Sequence, residues 1–342
     1  MSAARDPALA LVADIGGTNA RFALTDLRAD TPALLHSRAL RNADFASLQH
    51  AAEAYLSDIE LRPSQAAIAV ACPVNTDEIR LTNRAWSFNR RELQQALGLD
   101  ELRMLNDFGA VAWAVPALSG GDMVTLHGGA DSLAHGPISV LGPGTGLGVA
   151  LLVGSHHRGW HVVETEGGHV SFAPQGDEER AIERWLSALH GRTSNERVLC
   201  GKGLSEIDAV LRGAIPQPGA PVPGGSTLAV PQLREPAQIV AAALDGHDAA
   251  ARRTLARFCA VLGSVAGDCA LVHGARSVVI AGGIVPRFVP FLRSSAFRER
   301  FLAKGRFAAW LESVAIHVVT HAHPGLLGAA MALRSDPLRE SP

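Results

Sequence analysis

Cysteine is scarce in this sequence, and its spacing does not suit a metal site. The four cysteines, Cys72, Cys200, Cys259 and Cys269, are scattered, and no two of them have the paired spacing of a zinc site. Cys72 and Cys259 lie in apolar runs, so we expect buried, reduced thiols.

An excess of charge of one sign is also lacking. The chain has 31 lysine and arginine residues against 33 aspartate and glutamate residues, a net charge of −2, and no block of like charges. A surface for nucleic acid or for an anionic membrane is therefore not expected.

The N-terminus lacks a long apolar segment. The apolar run from Ala8 to Ala13 ends at Asp14 and is too short for a signal peptide or a membrane span. We expect a cytoplasmic protein.

The chain does contain a conspicuous glycine turn near its start. Residues 9–13 form an apolar run typical of a strand buried on both faces, and residues 14–19 (Asp-Ile-Gly-Gly-Thr-Asn) predict a turn. Second and third strands are predicted at residues 20–25 and 33–40. The first two strands are too close for an intervening helix, unlike the strands that flank a P-loop or a dinucleotide-binding turn.

The same pattern recurs in the middle of the chain. Two predicted strands, residues 138–141 and 149–153, flank the segment Gly-Pro-Gly-Thr-Gly-Leu-Gly at residues 142–148. Because one such unit opens each half, the repeat predicts an α/β protein with two duplicated βββαβα domains that face each other. A chain of 342 residues is long enough for two cores.

Other elements follow from periodicity and glycine positions. A third glycine turn, Gly282-Gly283, ends a predicted strand at residues 277–281, and the proline- and glycine-rich residues 213–236 predict a long surface excursion. Strands are also predicted at residues 66–71, 102–105 and 159–163. Helices are predicted at residues 45–59, 92–97, 250–272 and 325–333, and from Phe108 onwards.

The first turn has the chemistry of a phosphate site. Gly16 and Gly17 allow close approach of the backbone, successive N–H groups bind anions, and Thr18 adds a hydroxyl donor. Asp14 is placed to hold the water shell of Mg²⁺, which is bound by few carboxylates together with substrate phosphates. The alternative is a tight hairpin with a solvated aspartate, but the repeat of the turn favours phosphate binding.

The second turn has four glycines in seven residues and no acidic residue. Such a turn suits a polyphosphate whose metal is held from the other side. A dinucleotide-binding turn is the competing interpretation, but the spacing G-x-G-x-x-G is not matched and an apolar strand follows.

Asn106-Asp107 lies where a predicted strand ends and a helix begins, the position where α/β proteins bind ligands. A carboxylate there can accept the proton of a sugar hydroxyl during phosphoryl transfer. The alternative is that Asp107 only caps the helix.

Glu166-Gly-Gly-His169 offers a carboxylate and an imidazole, which together can bind vicinal sugar hydroxyls. A metal site is the competing interpretation. Glu196 alone is typical of the first turn of a helix.

Six segments in order resemble the proteobacterial-type glucokinases, from Leu9 to about Gly328: LVADIGGTNARFAL, MLNDF, GPGTGLGVA, ETEGGHVSFAP, NERVLCGKGL and VIAGGIVPRF. The resemblance implies two duplicated ribonuclease H-like domains of the actin-like ATPase type, separated by an inter-domain cleft. It also implies a homodimer and ATP-dependent phosphorylation of glucose at O6, the first step of glucose catabolism. We expect a small domain of residues 1–112 with about 323–342, and a large domain of residues 113–322.

The family's site residues carry over by position. Asp107 matches the catalytic base, and Asn106, Glu166, His169 and Glu196 match glucose contacts. The expected ATP-binding residues are Asp14, Gly16, Gly17, Thr18, Asn19, Gly142, Gly144, Thr145, Gly146, Gly282 and Gly283, with Mg²⁺ held through water by Asp14.

Two departures and several alternatives accompany the resemblance. Residues 162–165 (Val-Val-Glu-Thr) stand where relatives often have a proline-glycine pair, and residues 213–236 are particular to this chain. A kinase for mannose, glucosamine or fructose and a non-catalytic sugar sensor are the rivals. A DNA-binding regulator of this type is not expected, because eight residues precede Leu9. An actin- or Hsp70-like ATPase would lack the Asn-Asp and Glu-Gly-Gly-His residues.

Overall fold

A computed structural model describes residues 4–81, 86–213 and 233–335. The predicted surface excursion at residues 213–236 falls largely on residues 214–232, which lie outside the described residues. The last residues of the expected small domain, 336–342, also lie outside them.

The first half builds a five-stranded mixed sheet in the order β3-β2-β1-β4-β7. The first three strands form an antiparallel meander, and β4 and β7 then add in parallel to β1. The elements of this half are β1 (Ala4–Ile15), β2 (Asn19–Asp26), β3 (Leu35–Arg41), α1 (Leu48–Ile59), β4 (Leu61–Val70), β5 (Glu78–Arg80), β6 (Ser87–Asn89), α2 (Arg90–Ala96) and β7 (Glu101–Asn106).

The second half builds a six-stranded mixed sheet in the order β11-β10-β9-β12-β13-β8. The helices that follow β7 along the chain are α3 (Asp107–Ala114), α4 (Gly176–His190), α5 (Asn195–Val198), α6 (Gly201–Leu211), α7 (Pro236–Asp245), α8 (Ala249–His273), α9 (Val289–Ser294), α10 (Phe297–Leu302), α11 (Ala308–Glu312) and α12 (Pro324–Arg334). The strands of this sheet are β8 (Met123–His127), β9 (Ile138–Pro143), β10 (Leu147–Ser155), β11 (Gly159–Thr165), β12 (Ser277–Ile280) and β13 (Ala315–Val319).

Five strands of the second sheet repeat the plan of the first. The strands β9, β10 and β11 form an antiparallel meander, and β12 and β13 add in parallel to β9. The sixth strand, β8, pairs antiparallel with β13 at the edge. The predicted strands are therefore present, and the two glycine turns join the first and second strand of each sheet.

Local sequence explains where the helices begin. Ser47 caps α1 by accepting a hydrogen bond from the His50 N–H, so the helix starts at Leu48, a little later than predicted. Asn89 caps α2 through the N–H groups of Arg91 and Glu92. Short polar side chains with extended backbone thus mark the entry of these two helices.

Helices α3 and α12 lie between the two sheets. Their apolar side chains share one core cluster with strands from both sheets, including Val12 of β1 and Val140 of β9. The helices approach closely, since a Cβ atom at Gly328 would lie 1.6 Å from the carbonyl oxygen of Ala110. The C-terminal helix therefore returns to the first sheet, as predicted.

The long helix α8 is a core helix of the second half. Among the described residues it alone has the length and composition of a membrane span, but 67% of its most apolar window is buried inside the structure. It packs against α6, α7 and α10. Its apolar character is therefore accounted for by the core.

Candidate active site

The first glycine turn projects from the ends of β1 and β2 with its tip exposed. The Gly16 N–H donates to the Asn19 carbonyl at 3.0 Å, which closes the turn. Asn42 supports it from below, because its Nδ2 donates to the Gly16 carbonyl at 2.8 Å and its own N–H to the Thr18 carbonyl at 3.0 Å. Gly17 and Thr18 are left facing solvent, as a phosphate-binding turn requires.

The second glycine turn is wedged among other elements. The Gly144 N–H donates to the Gly146 carbonyl at 2.7 Å, and the Gly201 N–H, at the start of α6, donates to the Gly144 carbonyl at 3.0 Å. Thr145 at the tip is exposed. The turn is therefore open only at its tip.

The third glycine turn packs directly on the second. A Cβ atom at Gly142 would lie 2.2 Å from the Ala281 carbonyl oxygen, and one at Gly282 would lie 2.4 Å from the Pro143 carbonyl oxygen. Gly282 also has a φ of +87°, which favours glycine. Both glycines are thus required where the ends of β9 and β12 meet.

Asn106 is the residue that caps helix α3. Its Oδ1 accepts hydrogen bonds from the N–H groups of Phe108 and Gly109 at 2.9 and 3.2 Å. Asp107 is the first residue of the helix, and its Oδ1 accepts a hydrogen bond from the adjacent Phe108 N–H at 2.8 Å. The helix cap, which was the alternative role for Asp107, is therefore supplied by Asn106.

The Asp107 carboxyl has a raised pKa. Burial, together with the smaller effect of the neighbouring carboxylates of Asp14 and Glu166, raises its pKa to about 6 against the lowering effect of the Phe108 N–H. A carboxyl with a pKa just below neutral pH is ionised at pH 7 and still accepts a proton readily. The influence of Asp14 and Glu166 also shows that the ends of β1, β7 and β11 converge here.

Asp14 lies beside α12 at the end of β1. A Cβ atom at Gly325 would lie 3.0 Å from its Cγ, and the Arg21 guanidinium is 3.9 Å from its Oδ2. Burial raises the pKa of Asp14, whereas Arg21 and His323 lower it. The carboxylate retains a partly exposed face, with 25% of the side chain accessible.

Glu166, His169 and Glu196 form a connected set. The His169 Nε2 lies 3.8 Å from the Glu166 Oε2, and its Nδ1 lies 3.9 Å from the Glu196 Oε1. Glu196, in the first turn of α5, also accepts a hydrogen bond from the Leu147 N–H at 3.0 Å. This contact joins the predicted sugar residues to the second glycine turn.

The metal alternative for this set finds no support among the described residues, where no group of three or more histidine, cysteine or acidic side chains is arranged to hold an ion. His156 and His157 are exposed in the turn between β10 and β11. Polar contacts to a hydroxylated ligand remain the chemistry that the set can perform.

The four cysteines are free thiols, as predicted, and Cys72, Cys200 and Cys259 are buried. Cys72 follows β4, and burial together with the nearby Asp107 carboxylate raises the pKa of its thiol. A thiol with a raised pKa therefore lies near Asp107.

Two polar residues of the site escaped prediction. Asn42 lies far from the first turn in sequence, and no local pattern marks it. Glu164 stood out only as a departure from the family pattern, yet its Oε1 accepts the Asn106 N–H at 2.9 Å. Residues 162–165 lie in β11, paired with β10, and lead directly to Glu166.

Comparison with known proteins identifies the family. The family model described as glucokinase matches residues 11–336. This chain belongs to the glucokinase family. A glucokinase of Stenotrophomonas maltophilia (strain K279a) is 44% identical over 350 residues, covering 100% of this chain and 99% of its own. A glucokinase of Psychromonas ingrahamii is 42% identical over 329 residues, covering 96% and 98%.

The fold agrees with this membership. A glucokinase from an Antarctic psychrotroph, solved by crystallography, matches 96% of this chain and 99% of its own with a TM-score of 0.80 and 35% identity. The sequence-based predictions of a glucokinase, of a kinase and of ATP-dependent phosphorylation of glucose are confirmed.

Proposed function

We propose that Asp107 accepts the proton of the glucose C6 hydroxyl while the γ-phosphoryl group of ATP is transferred to that oxygen, giving glucose 6-phosphate and ADP. The observation that carries this proposal is the position of Asp107 at the carboxyl end of β7, where neighbouring carboxylates and burial raise its pKa to about 6. Because Asn106 supplies the helix cap, Asp107 is left to serve as the base.

The sugar is bound by Asn106, Glu166, His169 and Glu196. The contacts of His169 with both glutamates support this assignment, since they keep two carboxylates and one imidazole on the same side of the site. Acceptors and donors in alternation suit the vicinal hydroxyls of glucose. Orientation by such a set accounts for much of the acceleration expected in phosphoryl transfer.

The phosphates of ATP lie between the two glycine turns. Gly16, Gly17, Thr18 and Asn19 form one side, and the opposite side and the adenosine contact are formed by Gly142, Gly144, Thr145, Gly146, Gly282 and Gly283. The exposed tips and the contact between Gly142 and Ala281 support this division.

Asp14 would hold Mg²⁺ through water. The residues fit this ion, because a partly exposed carboxylate stands beside an anion-binding turn and Mg²⁺ needs few protein ligands when phosphates are present. When bound, the ion neutralises charge on the transferred phosphoryl group.

The two sheets represent duplicated ribonuclease H-like domains of the actin-like type, with the cleft between them. Their shared strand order supports this. The small domain comprises residues 1–112 with about 323–342, and the large domain residues 113–322. The protein acts in the cytoplasm as a homodimer, and light scattering should give twice the chain mass of 35.9 kDa.

Kinetics on a hexose panel test the proposal. Glucose, mannose, glucosamine and fructose are compared as acceptors for ATP, with wild type beside Asp107→Asn and Asp107→Ala. Both variants should lose at least ~10²-fold in kcat for glucose. Asp177→Asn, an exposed carboxylate on α4, is the control and should match wild type. Near-normal turnover of Asp107→Asn would remove Asp107 from the mechanism, and faster turnover of another hexose would change the substrate.

A further inference from the structure

The side chain of Glu164 connects the two sheets at the site. Its Oε1 accepts a hydrogen bond from the Asn106 N–H at 2.9 Å. Glu164 belongs to β11, the edge strand of one sheet, and Asn106 ends β7, the edge strand of the other. One side chain therefore joins two edges that belong to different halves of the molecule.

The Glu164 side chain supplies the Asn106 N–H with a hydrogen-bond acceptor that the first sheet does not provide. Among the strands of the described residues, β7 pairs with β4 alone, so an N–H on its outer side has no partner among them. Asn106 already uses its Oδ1 to cap α3. Because Glu164 holds the backbone of this same residue, it constrains both the cap and the position of the adjacent Asp107.

Gly109 leaves the space that the carboxylate fills. A Cβ atom at Gly109 would lie 2.5 Å from the Glu164 Oε1 and 2.8 Å from its Cγ, and the three nearest atoms all belong to Glu164. The φ of Gly109 is not in the left-handed region, so the absence of a side chain, and not backbone freedom, is what matters here.

Thr165 extends the connection to the predicted sugar residues. Its Oγ1 donates to the Val149 carbonyl at 2.7 Å and accepts the Gly167 N–H at 3.2 Å, at the start of the turn that carries His169. The adjacent side chains of Glu164 and Thr165 thus bind the first and the second sheet respectively, immediately before Glu166.

We propose that Glu164 is a positioning residue, which holds Asn106 and Asp107 of the first half in register with Glu166 of the second half. The proposal rests on the proposed function, because Glu164 acts through Asp107 and Asn106. It would set how closely the base approaches the sugar hydroxyl, where a displacement of about 1 Å is enough to cost ~10²-fold in rate.

Four variants test it: Glu164→Ala, Glu164→Gln, Gly109→Ala and the double variant Gly109→Ala/Glu164→Ala. Glu101→Ala, which removes an exposed carboxylate from the opposite end of β7, is the matched control. For each, kcat and the KM values for glucose and ATP are measured, and a thermal melt confirms that the protein is folded.

Glu164→Ala should lower kcat/KM for glucose by about 10-fold and leave the KM for ATP within about twofold, because the hydrogen bond holds the base and not the glycine turns. Glu164→Gln retains an acceptor oxygen and should restore activity to within about threefold of wild type. Gly109→Ala should behave like Glu164→Ala, and it should have no further effect in the Glu164→Ala background, where its clash partner is gone.

Wild-type kinetics for Glu164→Ala would overturn the proposal, as would an undiminished effect of Gly109→Ala in the double variant. The variant Asp107→Asn distinguishes a failure of the positioning role from a failure of the proposed function. If Asp107→Asn is inactive while Glu164→Ala is normal, only the positioning role fails. If Asp107→Asn is fully active, the proposed function itself fails.

Discussion

The two glycine turns, residues 14–19 and 142–148, occupy matching places in their sheets, each between the first and second strand of an antiparallel meander. Their surroundings differ. The first is supported by the side chain of Asn42 and leaves room at its glycine, since the nearest atom to a Cβ at Gly16 is 3.5 Å away. The second is enclosed by backbone, with Gly142 against Ala281 and Gly144 bonded to Gly201.

Charge separates the turns as well. Asp14 stands beside the first turn, whereas the second contains no acidic residue and meets a carboxylate only through Glu196, which binds the Leu147 N–H. The comparison teaches that a repeated turn supplies the same backbone shape twice, and that its neighbours decide what each copy does. We infer that both turns contact the phosphates of ATP and that Asp14 gives the first turn the additional role of holding the metal.

Removing the acidic group of the first turn should have the largest effect. Asp14→Asn should raise the Mg²⁺ concentration needed for half-maximal rate by about 10- to 100-fold, the usual cost of losing a group that acts on a metal through its outer shell. Initial rates against free Mg²⁺ at fixed ATP and glucose provide the measurement. An unchanged Mg²⁺ dependence would show that Asp14 does not hold the metal, and that the two turns do not differ in this role.

Adding one methyl group to a glycine of each turn should destabilise the protein more at the second turn than at the first. Gly142→Ala should lower the free energy of unfolding by about 1–3 kcal/mol, because its Cβ would overlap backbone that has no room to move. Gly16→Ala, the matched change, should stay within ~0.5 kcal/mol of wild type. Denaturant unfolding of both variants gives the comparison, and equal losses would contradict it.

The contribution of Asn42 to the first turn should be measurable separately. Asn42→Ala removes a buried side-chain hydrogen bond to the Gly16 carbonyl and should cost about 1–2 kcal/mol of unfolding free energy. The KM for ATP should rise at the same time, because the turn loses its brace. A stable variant with an unchanged KM for ATP would show that Asn42 does not hold the turn.

The smallest expected effect is a shift in pH dependence. Since the raised pKa of Asp107 is about 6, kcat/KM for glucose should be full above pH 7 and should fall as the pH drops through 6, where the base becomes protonated. Removing a neighbouring negative charge in Asp14→Asn or Glu166→Gln should lower the apparent pKa by about 0.3–1 unit.

Thr145→Ala in the second turn is the control for that shift, because it changes no charge. Its pH–rate profile should keep the midpoint of the wild type. A midpoint that moves equally in Thr145→Ala, or that stays fixed in both charge variants, would show that the acid limb does not report Asp107.

Much of the fold was predictable because its signals are local. Apolar runs ending in glycine turns located the strands β1, β2, β9 and β10. Periodicity located α8 to within one residue at each end, since a long buried helix repeats its pattern many times. The start of α1 was missed because the capping hydroxyl of Ser47, and not the apolar pattern, sets it.

The residues of the candidate site could be proposed from the sequence, whereas the contacts between them could not. The chemistry of a carboxylate that follows a strand, or of glycines in a turn, depends on residues that are adjacent in the sequence. The contact of Glu164 with Asn106, the brace from Asn42 and the packing of Gly142 on Ala281 join residues that are distant in sequence, so no local pattern announces them.

The two glycine–threonine turns, the repeat that relates them and the family to which the chain belongs were therefore determined by the sequence alone, because each depends on residue types at short and fixed spacing. Which turn is open and which is enclosed, and that Asn106 caps while Asp107 stays available, were decided by tertiary structure. Burial, the raised pKa of Asp107 and the fit of Glu164 over Gly109 arise only when the two sheets close around α3 and α12.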